Sequence, residues 1–60
     1  MDWKELVGKW VLIRKTGSDD ILEVIVLGVS PSGRYAKIRV GWTGEKWIDT
    51  KDYEVLEVLP

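Results

Sequence analysis

The chain has sixty residues, a net charge of −1, and neither Cys nor His. That excludes thiol nucleophiles, imidazole bases, disulfides and the usual soft-metal sites. A chain this short makes one domain, residues 1–60, that hides only ~60% of the surface its unfolded form exposes, so Trp, Ile, Leu and Val must supply the core.

Asn, Gln and Phe are also absent while Lys, Arg, Asp and Glu abound, a thermophile-like composition that a designed sequence would share. Short apolar runs separated by turn-forming clusters set the rhythm of the chain, and that rhythm predicts a small all-β fold. Asp2–Val7 reads as one helical turn, with Asp2 as its cap, Glu5 completing a capping box and Gly8 ending it. Trp3 is expected to pack over one end of the core.

The first strand is Trp10–Lys15, followed by a polar loop, Thr16–Asp20. The second, Ile21–Ser30, is long and almost continuously apolar, with Gly28 a candidate for a bend or bulge. Ser30-Pro31-Ser32-Gly33-Arg34 is the best turn signal: Pro presets φ and Gly accepts the left-handed conformation. A three-residue loop closed by Ser30 and Arg34 places Gly28 opposite Ala36, Val26 opposite Ile38, Val24 opposite Val40 and Leu22 opposite Trp42. These form the core face. Val29 with Tyr35, Leu27 with Lys37 and Ile25 with Arg39 form the outer face.

Thr43-Gly44-Glu45 turns the third strand into the fourth. A register with Ile48 beside Val40, Asp49 beside Arg39 and Trp47 over Gly41 gives a core pair, a charge pair and an aromatic over a glycine. A two-residue Gly44-Glu45 turn would flip this strand. Asp49–Tyr53 reads as a 3₁₀ turn capped by Asp49 or Thr50. Glu54–Leu59 is the last strand, expected to pair with the first and close a barrel.

Gly8-Lys9-Trp10-Val11-Leu12-Ile13 and the stretch Trp47 to Leu59, a strand, a 3₁₀ turn and a strand, carry a resemblance. The pattern resembles the SH3-like barrel superfold, especially its Tudor and KOW types. The resemblance implies a five-stranded SH3-like barrel with one 3₁₀ turn before the last strand, and a binding rather than catalytic role. It does not extend to the signalling SH3 domains. Their Ala-Leu-Tyr-Asp-Tyr opening and mid-chain Trp pair are missing, so no polyproline groove is implied.

No constellation of residues supports an enzyme. Ser18, Ser30 and Ser32 sit in turn clusters, where local backbone hydrogen bonds explain them. Asp19, Asp20 and Glu23 lack the spacing of a Ca²⁺ loop, and Gly41–Lys46 lacks that of a phosphate loop. No cofactor or metal is expected. The remaining candidate is a surface formed by Trp10, Ile25, Leu27, Tyr35, Lys37, Arg39 and Trp47. Its apolar row, Ile25-Leu27-Val29, is more hydrophobic than a solvated face requires. Trp42 is expected in the core.

Two functions fit such a surface. One is a protein-contact module, with another protein or a second copy as its partner. The alternative is nucleic-acid binding, with Arg34, Lys37, Arg39 and Lys46 on phosphates and Tyr35 and Trp47 stacking. The near-neutral charge favours the first. An aromatic cage for a methylated cation would need Trp10, Tyr35 and Trp47 to converge. No apolar stretch approaches the ~20 residues of a membrane span, and the N-terminus does not read as a signal peptide. An intracellular, cytoplasmic location is the default expectation.

Overall fold

The computed structural model describes residues 2–60. It is all-β apart from two 3₁₀ turns, Trp3–Leu6 and Thr50–Asp52. Five antiparallel strands, β1 (Trp10–Lys15), β2 (Ile21–Val29), β3 (Tyr35–Val40), β4 (Glu45–Asp49) and β5 (Tyr53–Val58), form one sheet. The strand order is β4-β3-β2-β1-β5, so β5 pairs with β1 as expected, and β4 and β5 are the sheet's two edges.

Alternation puts one face of every strand inside. Leu6, Val11, Ile13, Val24, Val26, Ala36, Ile38 and Ile48 form a single buried cluster. Six of these come from the central strands β1, β2 and β3 and are 0% exposed. A flat sheet covered only by one 3₁₀ turn could not hide them. The sheet therefore curls around its own inner face, and the near-equal dimensions of 28 × 24 × 22 Å reflect that curl. Trp3, Leu22, Val29, Val40, Tyr53, Val55 and Val58 complete the packing.

The β2–β3 hairpin departs from the predicted register at its turn end and agrees with it further in. Val24 meets Val40, Ile25 meets Arg39 and Val26 meets Ile38, as alternation predicts. Nearer the turn, Gly28 meets Lys37 and Val29 meets Ala36. The loop holds four residues rather than three. The Ser30 amide donates to the Tyr35 carbonyl at 2.8 Å and the Gly33 amide donates to the Ser30 carbonyl at 2.8 Å. Gly33 adopts φ +79°, the left-handed value expected of it. One residue has thus moved from β3 into the loop, and a bulge at Leu27 absorbs the mismatch on β2. Val29, expected on the outer face, therefore packs against the core.

The second correction concerns β4. Ile48 lies opposite Ala36 rather than Val40, Trp47 opposite Lys37 rather than Gly41, and Asp49 opposite Tyr35 rather than Arg39. The displacement is an even number of residues, so Ile48 still faces the core. Its cause is the turn. Gly41 takes φ +52°, and the Thr43 amide and hydroxyl both donate to the Val40 carbonyl, at 2.9 Å and 2.6 Å. The chain reverses directly after Val40, and Trp42, expected in the core opposite Leu22, is instead fully exposed at 104%.

Both 3₁₀ turns start at a capping aspartate. Asp2 accepts from the Lys4 amide and Asp49 from the Lys51 amide, each at 3.0 Å. The turns also brace the β2–β3 loop. The Lys4 ammonium donates to the Pro31 carbonyl at 2.7 Å, and the Thr50 hydroxyl donates to the carbonyls of Gly33 and Arg34, each at 2.9 Å. The Asp49 carboxyl is held below its usual value of 3.8, first by the Lys51 amide and then by the Arg34 guanidinium.

Two outcomes follow. Val26→Asp buries an unpaired carboxylate at a fully enclosed site and is expected to abolish cooperative thermal unfolding, whereas Lys37→Glu costs about 1 kcal/mol or less because it breaks only an exposed ion pair. The lowered Asp49 value means its contribution is present above the ordinary carboxylate value of 3.8 and is lost as pH falls below it, through the lowered value of the folded state. Melts across acid pH are expected to show a smaller drop in midpoint for Asp49→Asn than for the wild type. An identical pH dependence would remove Asp49 from the account.

Candidate functional site

The outer face follows from the same pairing that makes the core. Its first row crosses four strands: Trp10 on β1, Ile25 on β2, Arg39 on β3 and Glu45 on β4. Its second holds Lys37 on β3 and Trp47 on β4, with the bulged Leu27 adjoining on β2. Tyr35 lies opposite Asp49 at the end nearest the β2–β3 loop. On the other side of the first row, Glu57, Leu12 and Glu23 stand abreast on β5, β1 and β2.

All seven candidate residues therefore occur on strands of one sheet, but they do not form one point of contact. Trp10 and Trp47 lie in different rows with β2 and β3 between their strands, a separation of three strand spacings, roughly 14 Å. Trp10, Tyr35 and Trp47 do not converge, so the cage geometry is absent. Tyr35 is half-exposed, with the Arg34 guanidinium carbon 5.4 Å from its ring centroid. This contact belongs to the loop rather than to an open binding face.

What the structure brings together is a different set. A half-open cleft of about 520 Å³ is lined by Trp10, Glu23, Arg39, Gly41, Trp42, Leu59 and Pro60. Trp10 forms one side because the Leu59 amide donates to its carbonyl at 2.8 Å, which lays the end of the chain along β1. Trp42 forms part of the rim because the glycine-initiated turn after Val40 carries it away from the core. The Gly41 and Gly44 pair flanking Trp42 was the available signal: two glycines around a Trp mark a turn, and a turn residue is presented outward.

The electrostatics of the face are mostly neutralised within the molecule. Lys37 pairs with Glu45 at 3.0 Å, Arg14 with Glu54 at 2.8 Å and Arg34 with Asp49 at 3.4 Å. Of the four basic residues proposed for phosphate contact, Arg34 and Lys37 are thus already paired with carboxylates. Lys46 lies opposite Ile38 on the core-facing side of the edge strand, where it remains exposed. A charge at that position discourages edge-to-edge pairing. Of these four, Arg39 alone stands on the outer face without an ion-pair partner among the described residues.

Among the described residues, no three His, Cys, Asp or Glu side chains come together as a donor set for a metal. No helix among them is long and apolar enough to cross a membrane. Comparison with protein-family models, curated proteins and solved structures returned no match.

The two tryptophan environments separate cleanly from the core. Trp42→Ala removes a side chain that buries nothing and is expected to change stability by about 0.5 kcal/mol or less. Ile48→Ala, on the buried side of β4, is expected to cost ~2–5 kcal/mol. Urea melts of the two variants check the contrast, and a large loss from Trp42→Ala would place that ring back in the core.

Proposed function

We propose that this chain is a non-enzymatic protein-contact module, of the SH3-like barrel kind, whose contact surface is the outer face of the sheet around the Trp10–Trp42 cleft. The observation that carries the reading is the exposure of Trp42 beside Trp10, Leu59 and Pro60. A Trp side chain offers ~150–250 Å² of largely apolar surface, and aromatic anchors at the centre of a patch dominate protein interfaces. Ile25 extends the apolar area along Trp10's own row, and Leu27 and Trp47 extend it into the next. The strand order, with a 3₁₀ turn between β4 and β5, supports the SH3-like reading.

The paired state of Lys37 and Arg34 argues against nucleic acid as the ligand. A side chain that must leave a carboxylate to reach a phosphate gains less from the exchange, and each neutralised phosphate is what drives such binding. The overall charge of −1 adds a repulsive background.

Panning a random peptide library on the sparsely immobilised domain tests the reading. Enrichment of peptides with apolar anchors is expected, persisting between about 50 and 200 mM salt. It should be lost with Trp42→Ala and retained with Lys51→Ala. No enrichment, together with tryptophan quenching by oligonucleotides that fades as salt rises, would transfer the function to nucleic-acid binding.

A further inference from the structure

We propose that the partner seated on this face is a second copy of the same chain, in an isologous dimer. The inference rests on the protein-contact reading above and names its partner. Two observations carry it, one electrostatic and one concerning the size of the core.

The unmatched charges of the outer face divide by side. Glu57 on β5 and Glu23 on β2, either side of Leu12, are both exposed and have no ion-pair partner among the described residues. Arg39, exposed on β3, is likewise unpaired. Glu23 and Arg39 line the same cleft, with Trp10 and Trp42 beside them. A partner of one sign would satisfy one of these residues and oppose the other. A second copy satisfies both. A two-fold axis lying in the contact plane between β2 and β3 sets Arg39 of each chain against Glu23 of the other, so one favourable contact occurs twice. The aromatic rings and Ile25 then meet across the same axis.

The core supplies the second argument. Among the described residues it has eight buried side chains. The chain has no Cys, and its described residues offer no metal donor set. Domains of this size have a thin stability margin, which a second subunit raises by burying further apolar surface. A standard interface takes ~800 Å² from each partner, about a fifth of this chain's 4099 Å² of accessible surface. The cleft face, with its exposed Trp42, is the apolar area from which that fifth can be drawn. Folding and association are then coupled, and stability rises with protein concentration.

Charge reversal in sedimentation velocity tests the proposal. The wild type is expected to shift from 6.9 kDa towards twice that mass as its concentration rises, with its thermal midpoint rising in parallel. Arg39→Glu and Glu23→Arg, both at exposed positions, are each expected to weaken association at least tenfold. An equimolar mixture of the two variants should recover the dimer, because opposite charges again face each other across the axis. A mixture that fails to recover, when both variants are folded by circular dichroism, overturns the geometry. A wild type that stays at 6.9 kDa at every concentration overturns self-association, whether or not either variant folds. If that monomer still enriches peptides in a Trp42-dependent way, the contact reading stands with a different partner; if it enriches none, both fall.

Discussion

The bulge at Leu27 is the constraint on which the rest of the structure depends. A four-residue loop closes the β2–β3 hairpin at Ser30 and Tyr35, which leaves β3 one residue shorter than β2 between the turn and the Val26–Ile38 pair. Strand side chains alternate strictly, so an uncompensated residue would send either Val29 or Val26 to the wrong side. Leu27 takes up the difference. Val29 and Ala36 then face inward at the turn end, Val24 and Val26 face inward at the far end, and all the alternation errors are gathered into one outward-facing residue.

That arrangement fixes the outer face as much as the inner one. With β2 and β3 in phase, Ile25, Arg39, Lys37 and Glu23 are all presented outward, and β1 and β4 add Trp10 and Trp47 to the same surface. The loop that generates the mismatch is itself braced from two directions, by Lys4 on Pro31 and by Thr50 on Gly33 and Arg34. The 3₁₀ turns therefore do more than connect strands. They hold the hairpin at the length that requires the bulge.

Much of this architecture was legible in the residues. Pro31 and Gly33 announced the turn, the alternation of Val24 and Val26 with Ile38 and Val40 gave the inner pairs, and Asp2 and Asp49 announced the caps of the two 3₁₀ turns. The bulge was not, for a definite reason. Ile25 to Val29 is apolar at every position except Gly28, so alternation carries no phase information there, and a three-residue loop closed by Ser30 and Arg34 puts Val29 outside. The β4 register failed differently. Core facing is preserved by any even shift, so Ile48 could be assigned to the inside without revealing which β3 residue it meets. Pairing Leu22 with Trp42 carries the register past Val40 and so puts Trp42 in the core, whereas the glycines around Trp42 specify a turn and the ring lies outside. Of the candidate surface, all seven named residues lie on the sheet, but only Trp10 and Arg39 line the cleft, which also takes in Trp42, expected in the core.

The outer face depends on a local irregularity in one hairpin, and two deletions probe that dependence directly. Leu27 is the unpaired residue of β2 at the bulge, and Lys37 on β3 pairs with its neighbour Gly28. Removing Leu27 leaves every observed β2–β3 pair in place and restores plain alternation, so that variant should unfold cooperatively with a midpoint lowered by about 10 °C or less, ~1–2 kcal/mol. Removing Lys37 throws Ile38 and Arg39 out of phase with both neighbouring strands and should leave no cooperative transition. Equal damage from the two deletions, measured by thermal unfolding, would contradict the bulge at Leu27 as the place where the extra residue of β2 is absorbed.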